Sequence, residues 1–352
     1  MENKNIIIFT KTLWDEAPRL RHQLANMLLS CGYAVTFFEK TTLKPNKTKN
    51  HVKGNINLIR HYELLHHQLK PFGILIKLNQ IVVKYFIKKN TRNNDVNLII
   101  NFNYDYDFLK ELFPNARVVT IINDDFVAQA RPWMGYSIKN QLESTCRKSD
   151  IVFTTSYFVQ EQLYNYTENV QLLFPWADRK YIEIRRDNPK KILIWGHITL
   201  RYDFSMIEAV ALTFPEYTIS IIGDVHQSVN KVLYKLVDRY KNIVYSASRG
   251  LDDIDLNNYF VCFSPYNLLE ETKAISITNK SFQVFARGLT MINCGMPNFI
   301  EKSFISNCKN IKEVCSAIQK HKENQIKHQI ELKSFVNSNQ EQDRYNALKK
   351  FF

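Results

Sequence analysis

At 352 residues the chain has room for about two domains, and its 45% hydrophobic and 23% charged residues are the balance of a soluble globular protein with no apolar run near the ~20 residues of a membrane span. Its six cysteines (Cys31, Cys146, Cys262, Cys294, Cys308, Cys315) are scattered without a CxxC pair, which argues against a zinc site or disulfide framework and for reduced thiols in a cytoplasm. The net charge of +13 suits nucleic acid, an anionic membrane surface or a phosphorylated substrate, and equally a plain enrichment in lysine.

The first residues read as a strand, residues 5–11 (NIIIFTK), and lack the basic start of a signal peptide. A loop, TLWDEAP, leads to a helix over 19–31 with Leu20, Leu24, Met27, Leu28 and Cys31 on one face, and Gly32 is its natural stop. Residues 33–39 (YAVTFFE) form the next strand and complete a βαβ opening. The following region is less regular, and its apolar spacing predicts helices over 56–69 and 74–89. Strands resume at 97–103, 116–124, 150–156 and 169–175, separated by helical patterns such as 136–149. The charged stretch 178–191 (DRKYIEIRRDNPKK), with Pro189, is the expected linker.

A second βαβ unit then begins. Strand 191–197 (KILIWGH), loop ITLRYD, helix 204–214 and strand 217–224 (YTISIIGD) repeat the order of the first, and NIVYSA, FVCFSPY and TMINCG supply further strands. The tail from Ile311 reads as charged helix. The fold class is therefore α/β, with two doubly wound domains over 1–180 and 190–335. A C-terminal helix over 336–352 is expected to return to the first domain. In such sheets ligands bind outside the carboxyl ends of the strands, so the loops there carry the candidates.

Gly196 ends the first strand of the second domain, where a glycine lets backbone approach a ligand. His197 follows it, and Arg201 is placed to meet a diphosphate or to pair with Asp203. Asn279 and Lys280 open the short helix of ITNKSFQVFARGL. A cation at the positive end of a helix dipole is unfavourable unless an anion lies between them. Gln283, one turn on, is within reach of a ribose hydroxyl. In the first domain, Trp14, Asp15, Glu16, Arg19 and Arg21 crowd the loop and helix start after the first strand, the place for an acceptor. Three residues there and beyond are candidates for proton removal: His22, whose ordinary pKa lies near neutrality, and Asp124 and Asp125 at the strand end IINDDF, which also read as helix caps. Asp105 and Asp107 have the DxD spacing of a divalent-ion site, but the following FLKELF suggests capping instead, and no metal ligand set is assigned. GxGxxG, Walker A, HExxH and GxSxG are all absent from the sequence.

Four stretches in this order, WDEAPRLRHQLANMLLSCGYAVTFFEK, SDIVFTTSYFVQEQL with LLFPWAD, ILIWGHITLRYDFSMIEAVALTFPEYTISIIGD, and NKSFQVFARGLTMINCGMP, resemble GT-B glycosyltransferases of the family-4-like superfamily, the bacterial surface-polysaccharide type. The resemblance implies two Rossmann-like domains facing a cleft. The first would bind a glycan or lipid-linked acceptor and the second a nucleotide sugar, with no cofactor and no metal in the chemistry. It places Gly196, His197, Arg201, Asn279, Lys280 and Gln283 on the donor. It also places the family's ribose-binding Glu at Gln283 and the partner Glu at Ile275, so the two-Glu signature of retaining enzymes is absent. Polysaccharide or lipopolysaccharide assembly at the cytoplasmic face of the inner membrane is the implied setting. The basic, apolar stretch 66–90 (HHQLKPFGILIKLNQIVVKYFIKKN) reads in that setting as an interfacial helix, or else as an ordinary helix with a solvated face. The rival readings are a non-catalytic nucleotide- or sugar-binding module, a metal-dependent transferase built on Asp105 and Asp107, and a nucleic-acid binder. Basic residues spread over both halves without a dense run speak against the last, and no nucleic acid is expected.

Overall fold

The run of β-branched residues after Asn5 forms strand β1 (Asn5–Phe9), buried on both faces, as a central parallel strand requires. The structure, a computed structural model, describes residues 5–16, 18–66, 73–91, 95–184 and 188–351. It divides into two compact units, Met1–Phe174 with Tyr345–Phe352, and Pro175–Arg344.

In the N-terminal unit, β1 leads through a loop to helix α1 (Leu20–Ser30), which lays Leu20, Leu24, Met27 and Leu28 on the sheet. Gly32 ends it, its N–H donating to Leu29 O at 3.0 Å. Strands β2 (Ala34–Phe38), β3 (Lys49–Lys53), β4 (Ile56–Arg60), β5 (Val96–Asn101), β6 (Arg117–Ile122), β7 (Ile151–Thr154) and β8 (Val170–Leu172) complete a sheet of order β3-β4-β2-β1-β5-β6-β7-β8. All neighbours are parallel except β3, which runs antiparallel to β4. The predicted helix over 56–69 is thus wrong at its start, where a hairpin stands. Gly54 at φ +60° makes the tight turn that a Gly-Asn pair permits, and Ile56, Leu58 and Ile59 are buried in the sheet. The end of that prediction, 67–69, lies outside the described residues. Helix α2 (Gly73–Thr91) forms as expected; α3 (Leu109–Leu112), α4 (Gly135–Arg147) and α5 (Tyr157–Leu163) follow. The chain end belongs to this unit, with the Tyr345 and Tyr33 hydroxyls 3.2 Å apart and Phe351 edge-on to Phe153.

In the C-terminal unit, strands β9 (Lys191–Trp195), β10 (Thr218–Ile222), β11 (Ile243–Ser246), β12 (Tyr259–Pro265), β13 (Thr290–Cys294) and β14 (Ile305–Cys308) form a wholly parallel sheet of order β11-β10-β9-β12-β13-β14. Counted within the unit this is 3-2-1-4-5-6, the doubly wound order whose switch point lies between its first and fourth strands. Helices α6 (Phe204–Thr213), α7 (Asn230–Arg239), α8 (Glu270–Lys273), α9 (Asn279–Ala286), α10 (Ile311–Glu323) and α11 (Gln325–Asn337) follow. Helix α12 (Glu341–Lys349) carries the chain from this unit into the other.

The divide at Phe174–Pro175 precedes the expected linker, whose first residues are packed into the C-terminal unit. Asp178 accepts two bonds from Arg287, at 2.9 and 3.1 Å. Arg179 forms a bidentate pair with Asp252, both bonds at 2.9 Å, and Ile182 N–H donates to Ala286 O at 2.8 Å. Because Arg287 is buried, two carboxylates on it compensate a desolvated charge, and that need ties the stretch down.

Candidate functional site

The switch point of the C-terminal unit is built from Gly196 after β9, Ser264 and Tyr266 at the end of β12, and the first turn of α9. Gly196 sits at φ +121°, a conformation that L side chains rarely adopt. A Cβ on Gly223, after β10, would fall 1.7 Å from the Gly196 carbonyl oxygen, so glycine at 223 is what lets the two strand ends close together. A Cβ on Gly196 would touch the Lys280 chain 3.4 Å away; the lysine therefore lies across the glycine.

Thr278 caps α9, its Oγ1 accepting from Ser281 N–H at 3.1 Å. Lys280 Nζ donates to the buried Ser264 hydroxyl at 3.0 Å and stands 5.6 Å from the centre of the Tyr266 ring. Among the described residues no carboxylate pairs with it. A half-buried ammonium thus sits in the first turn of a helix beside a hydroxyl and an aromatic ring, a place where a cation is unfavourable without an anion nearby.

Arg201 pairs neither with Asp203 nor with an open space. It makes a bidentate salt bridge to Glu271 at the start of α8, at 2.8 and 2.9 Å, while Asp203 caps α6 through Met206 N–H at 3.0 Å. Asn267 straps this loop to the end of β12 by bonds to Leu200 O, Tyr202 O and Arg201 O. His197 is exposed, its ring 6.4 Å from that of His226. Asn279 is half-buried at the first position of α9. Gln283 is half-buried too, and its backbone oxygen accepts from Arg287 at 2.9 Å. Lys280 lies against Gly196, with Asn279 beside it in the first turn of α9, and Arg201 is tied to Glu271, a partner the sequence did not suggest. Ser264, Tyr266, Gly223 and Glu271 were missed; SPY and GD directly after apolar strands were the available signals.

The N-terminal unit has its own switch point, between β1 and β5. Here a cavity of about 220 Å³ is lined by Lys11, Arg19, Arg21, Phe102, Tyr104 and Asp124, with Gln129, Arg131 and neighbouring apolar residues beyond them. Asp124 takes a bond from Asn123 Nδ2 at 2.9 Å. Of the acceptor candidates, Arg19 and Arg21 reach this cavity and three others do not line it. Trp14 donates its N–H to Glu39 at 2.6 Å and packs its ring on His22 and Phe37. Asp15 is exposed and salt-bridged to Lys53 at 2.5 Å. Glu16 accepts from Leu13 N–H at 3.2 Å and lies 3.7 Å from Arg19.

Two of the proton-removal candidates are corrected. His22 is only 4% exposed; its Nδ1 accepts from Arg19 N–H at 3.0 Å and its Nε2 lies 3.2 Å from Leu13 O. That pairing uses both nitrogens of the neutral ring, and burial lowers its pKa. His22 shapes the start of α1 and does not line the cavity. Asp125 is buried and caps a turn, accepting from Val127 N–H at 3.1 Å, Ala128 N–H at 2.9 Å and Gln162 at 3.3 Å. Of the three, Asp124 lines this cavity. The DxD pair is split: Asp105 takes Lys11 at 2.7 Å, and Asp107 takes Lys148 at 2.7 Å, Ser144 at 2.7 Å and Gln80 at 2.9 Å.

No protein-family model matches the chain, and no curated protein does. Solved structures do. Sucrose-phosphate synthase from Thermosynechococcus elongatus is 12% identical with a TM-score of 0.72, over 99% of this chain and 98% of that one. The lipopolysaccharide outer core galactosyltransferase WaaB is 10% identical with a TM-score of 0.66, over 99% and 98%. Anabaena HepE in complex with UDP and glucose is 10% identical with a TM-score of 0.66, over 98% of both chains. At such identities the likeness establishes the fold: the chain has the two Rossmann-like units of the GT-B class.

Proposed function

We propose that this chain is a glycosyltransferase that moves a sugar from a nucleoside diphosphate to a hydroxyl of a glycan or lipid-linked acceptor, without a metal ion. The observation that carries the reading is Lys280, unmatched by a carboxylate among the described residues and lying across Gly196 at the switch point of the C-terminal unit. Fold relatives that include a galactosyltransferase and a protein in complex with UDP and glucose agree with it. As the bond from sugar to phosphate breaks, charge grows on the leaving diphosphate and the sugar becomes oxocarbenium-like. Lys280 and the first N–H groups of α9 meet that charge in place. Arg201, matched by Glu271 at rest, exchanges that partner for the more highly charged diphosphate. Gln283 is the residue assigned to the ribose. On the acceptor side Asp124 is the carboxylate assigned to take the hydroxyl proton.

The test is release of nucleoside diphosphate from a panel of UDP-, GDP- and dTDP-sugars, with magnesium or with EDTA. Slow hydrolysis of one donor class at equal rates in both conditions is the expected result. Activity only with a divalent ion would refute the metal-free chemistry, and no turnover of any donor would favour a binding module.

We also propose that α2 rests on an anionic membrane. Ile74, Leu78, Ile81 and Tyr85 form an exposed stripe along it, with Lys77, Lys88 and Lys89 on the same helix; residues 67–72 lie outside the described set. No described helix is long and apolar enough to cross a membrane. Such a face binds by partial apolar burial and by attraction to anionic lipid. Sedimentation with phosphatidylglycerol vesicles is expected to exceed that with phosphatidylcholine vesicles, and Ile81→Asp is expected to weaken it roughly tenfold. Equal, weak binding to both vesicles would remove the membrane from this account.

A further inference from the structure

We infer that the cavity of the N-terminal unit is an oxyanion subsite, so that the acceptor carries a phosphate or carboxylate group besides its reacting hydroxyl. The inference rests on the transferase reading for the word acceptor, and on Arg21 for the rest. Arg21 is 9% exposed and lines the cavity. Its Nη1 donates to the Thr10 hydroxyl at 3.1 Å and to that of Thr12, its guanidinium carbon stands 5.2 Å from the centre of the Phe102 ring, and its Nε is buried with no acceptor. Among the described residues no carboxylate forms a salt bridge with it. Burial and the neighbouring Arg19 charge pull its pKa down to about 10, only partly offset by the charges of Asp124 and Glu16.

A buried guanidinium with a wasted donor is costly unless something pairs with it, and its planar fork suits a phosphate or carboxylate. The neighbours sharpen the case. Lys11 is matched by Asp105 at 2.7 Å and Arg19 leans on Glu16 at 3.7 Å, whereas Arg131, exposed at the cavity wall, has no carboxylate partner among the described residues. Asp124 is the acidic residue of the lining. A ligand's anionic group would be drawn to Arg21 and Arg131 and repelled by that carboxylate, while a hydroxyl on the same ligand would be drawn to it. The 220 Å³ of the cavity is several times a water's share of ~30 Å³, room for a sugar-sized group.

The test titrates glucose 6-phosphate, glucuronate, inorganic phosphate and glucose onto the full chain by calorimetry, in a Lys280→Ala background that removes the phosphate-binding lysine of the other unit. Either or both anionic sugars are expected to bind at least about tenfold more tightly than glucose, and the two arms tell phosphate from carboxylate. Arg131→Ala, an exposed change that leaves the core alone, is expected to weaken the preferred anion severalfold. Arg21→Lys, which keeps a charge but loses the fork, is expected to weaken it about tenfold. Equal affinity for glucose and both anionic sugars, or anion affinity unchanged in both arginine variants, would overturn the proposal. Nucleotide binding by the chain with native Lys280, measured alongside, separates this result from the transferase reading: anion binding without nucleotide binding leaves the subsite and removes the donor site.

Discussion

Lys280→Ala is expected to weaken binding of the donor nucleotide by one to three orders of magnitude while the melting temperature of the unliganded protein falls by no more than about 3 °C. The ammonium is half-buried, 3.0 Å from Ser264 Oγ and without a carboxylate among the described residues. Against a phosphate oxygen at about 4 Å, with an effective dielectric near 20, its attraction is about 4 kcal/mol; desolvation leaves a share of that, and each ~1.4 kcal/mol is tenfold in affinity. In the unliganded protein the balance differs. The variant loses one hydrogen bond, worth about 1 kcal/mol, but it also removes a cation from the positive end of α9, which returns a few tenths to about 1 kcal/mol. Melting curves with and without nucleotide check both halves. A large fall in the unliganded melting temperature would mean that Lys280 holds the fold together and is not a ligand residue.

Gly223→Ala is expected to lower the melting temperature by roughly 6–12 °C and to abolish nucleotide binding with it. The added Cβ would lie 1.7 Å from Gly196 O and 2.8 Å from Gly196 C, and both are backbone. Gly196 has little freedom to retreat, because its N–H donates to Ile222 O at 3.0 Å and Lys280 lies across it. Overpacking against fixed backbone costs about 3 kcal/mol or more, and a unit of this size loses about 2–4 °C per kcal/mol. Gly73→Ala is the control: nothing lies within 4 Å of its Cβ and its φ is not in the left-handed region, so the change should be neutral or slightly stabilising. Equal melting temperatures for the two variants would show that the β9 and β10 ends are not packed as described.

Much of this fold can be read in the sequence because central parallel strands must be apolar on both faces. NIIIF, KILIW and FVCF announce themselves, and the matching order of strand, loop, helix and strand at residues 5 and 191 marks two units. Lys280 is legible for the same local reason: it violates the charge preference of a helix start, and a violation needs a ligand to explain it. The β3–β4 hairpin is hidden because INLIRHYELL satisfies a helical spacing as well as a strand's, and the decision rests on the Gly-Asn turn before it. His22 and Asp125 mislead because a polar side chain near a strand end has two uses, and whether backbone N–H groups claim it depends on a turn geometry the sequence does not spell out. The Arg201–Glu271 pair and the Gly223–Gly196 contact join residues seventy and twenty-seven positions apart, beyond any local pattern. The same holds for Arg21, whose place at the start of α1 is visible but whose lack of a carboxylate is a property of the assembled sheet.

On the proposed function, Lys280 awaits the diphosphate of a sugar donor. Titration of the full chain with UDP, GDP, dTDP and CMP, each in magnesium and in EDTA, tests it most directly. The account predicts that one diphosphate binds equally well with and without the metal, and that at a hundred times its Kd it stabilises the protein by about 2.7 kcal/mol. Lys280→Ala is expected to raise that Kd roughly ten- to a thousandfold and to cut the stabilisation accordingly. Failure of every nucleotide to bind at millimolar concentration, or a Kd unchanged in Lys280→Ala, would contradict it.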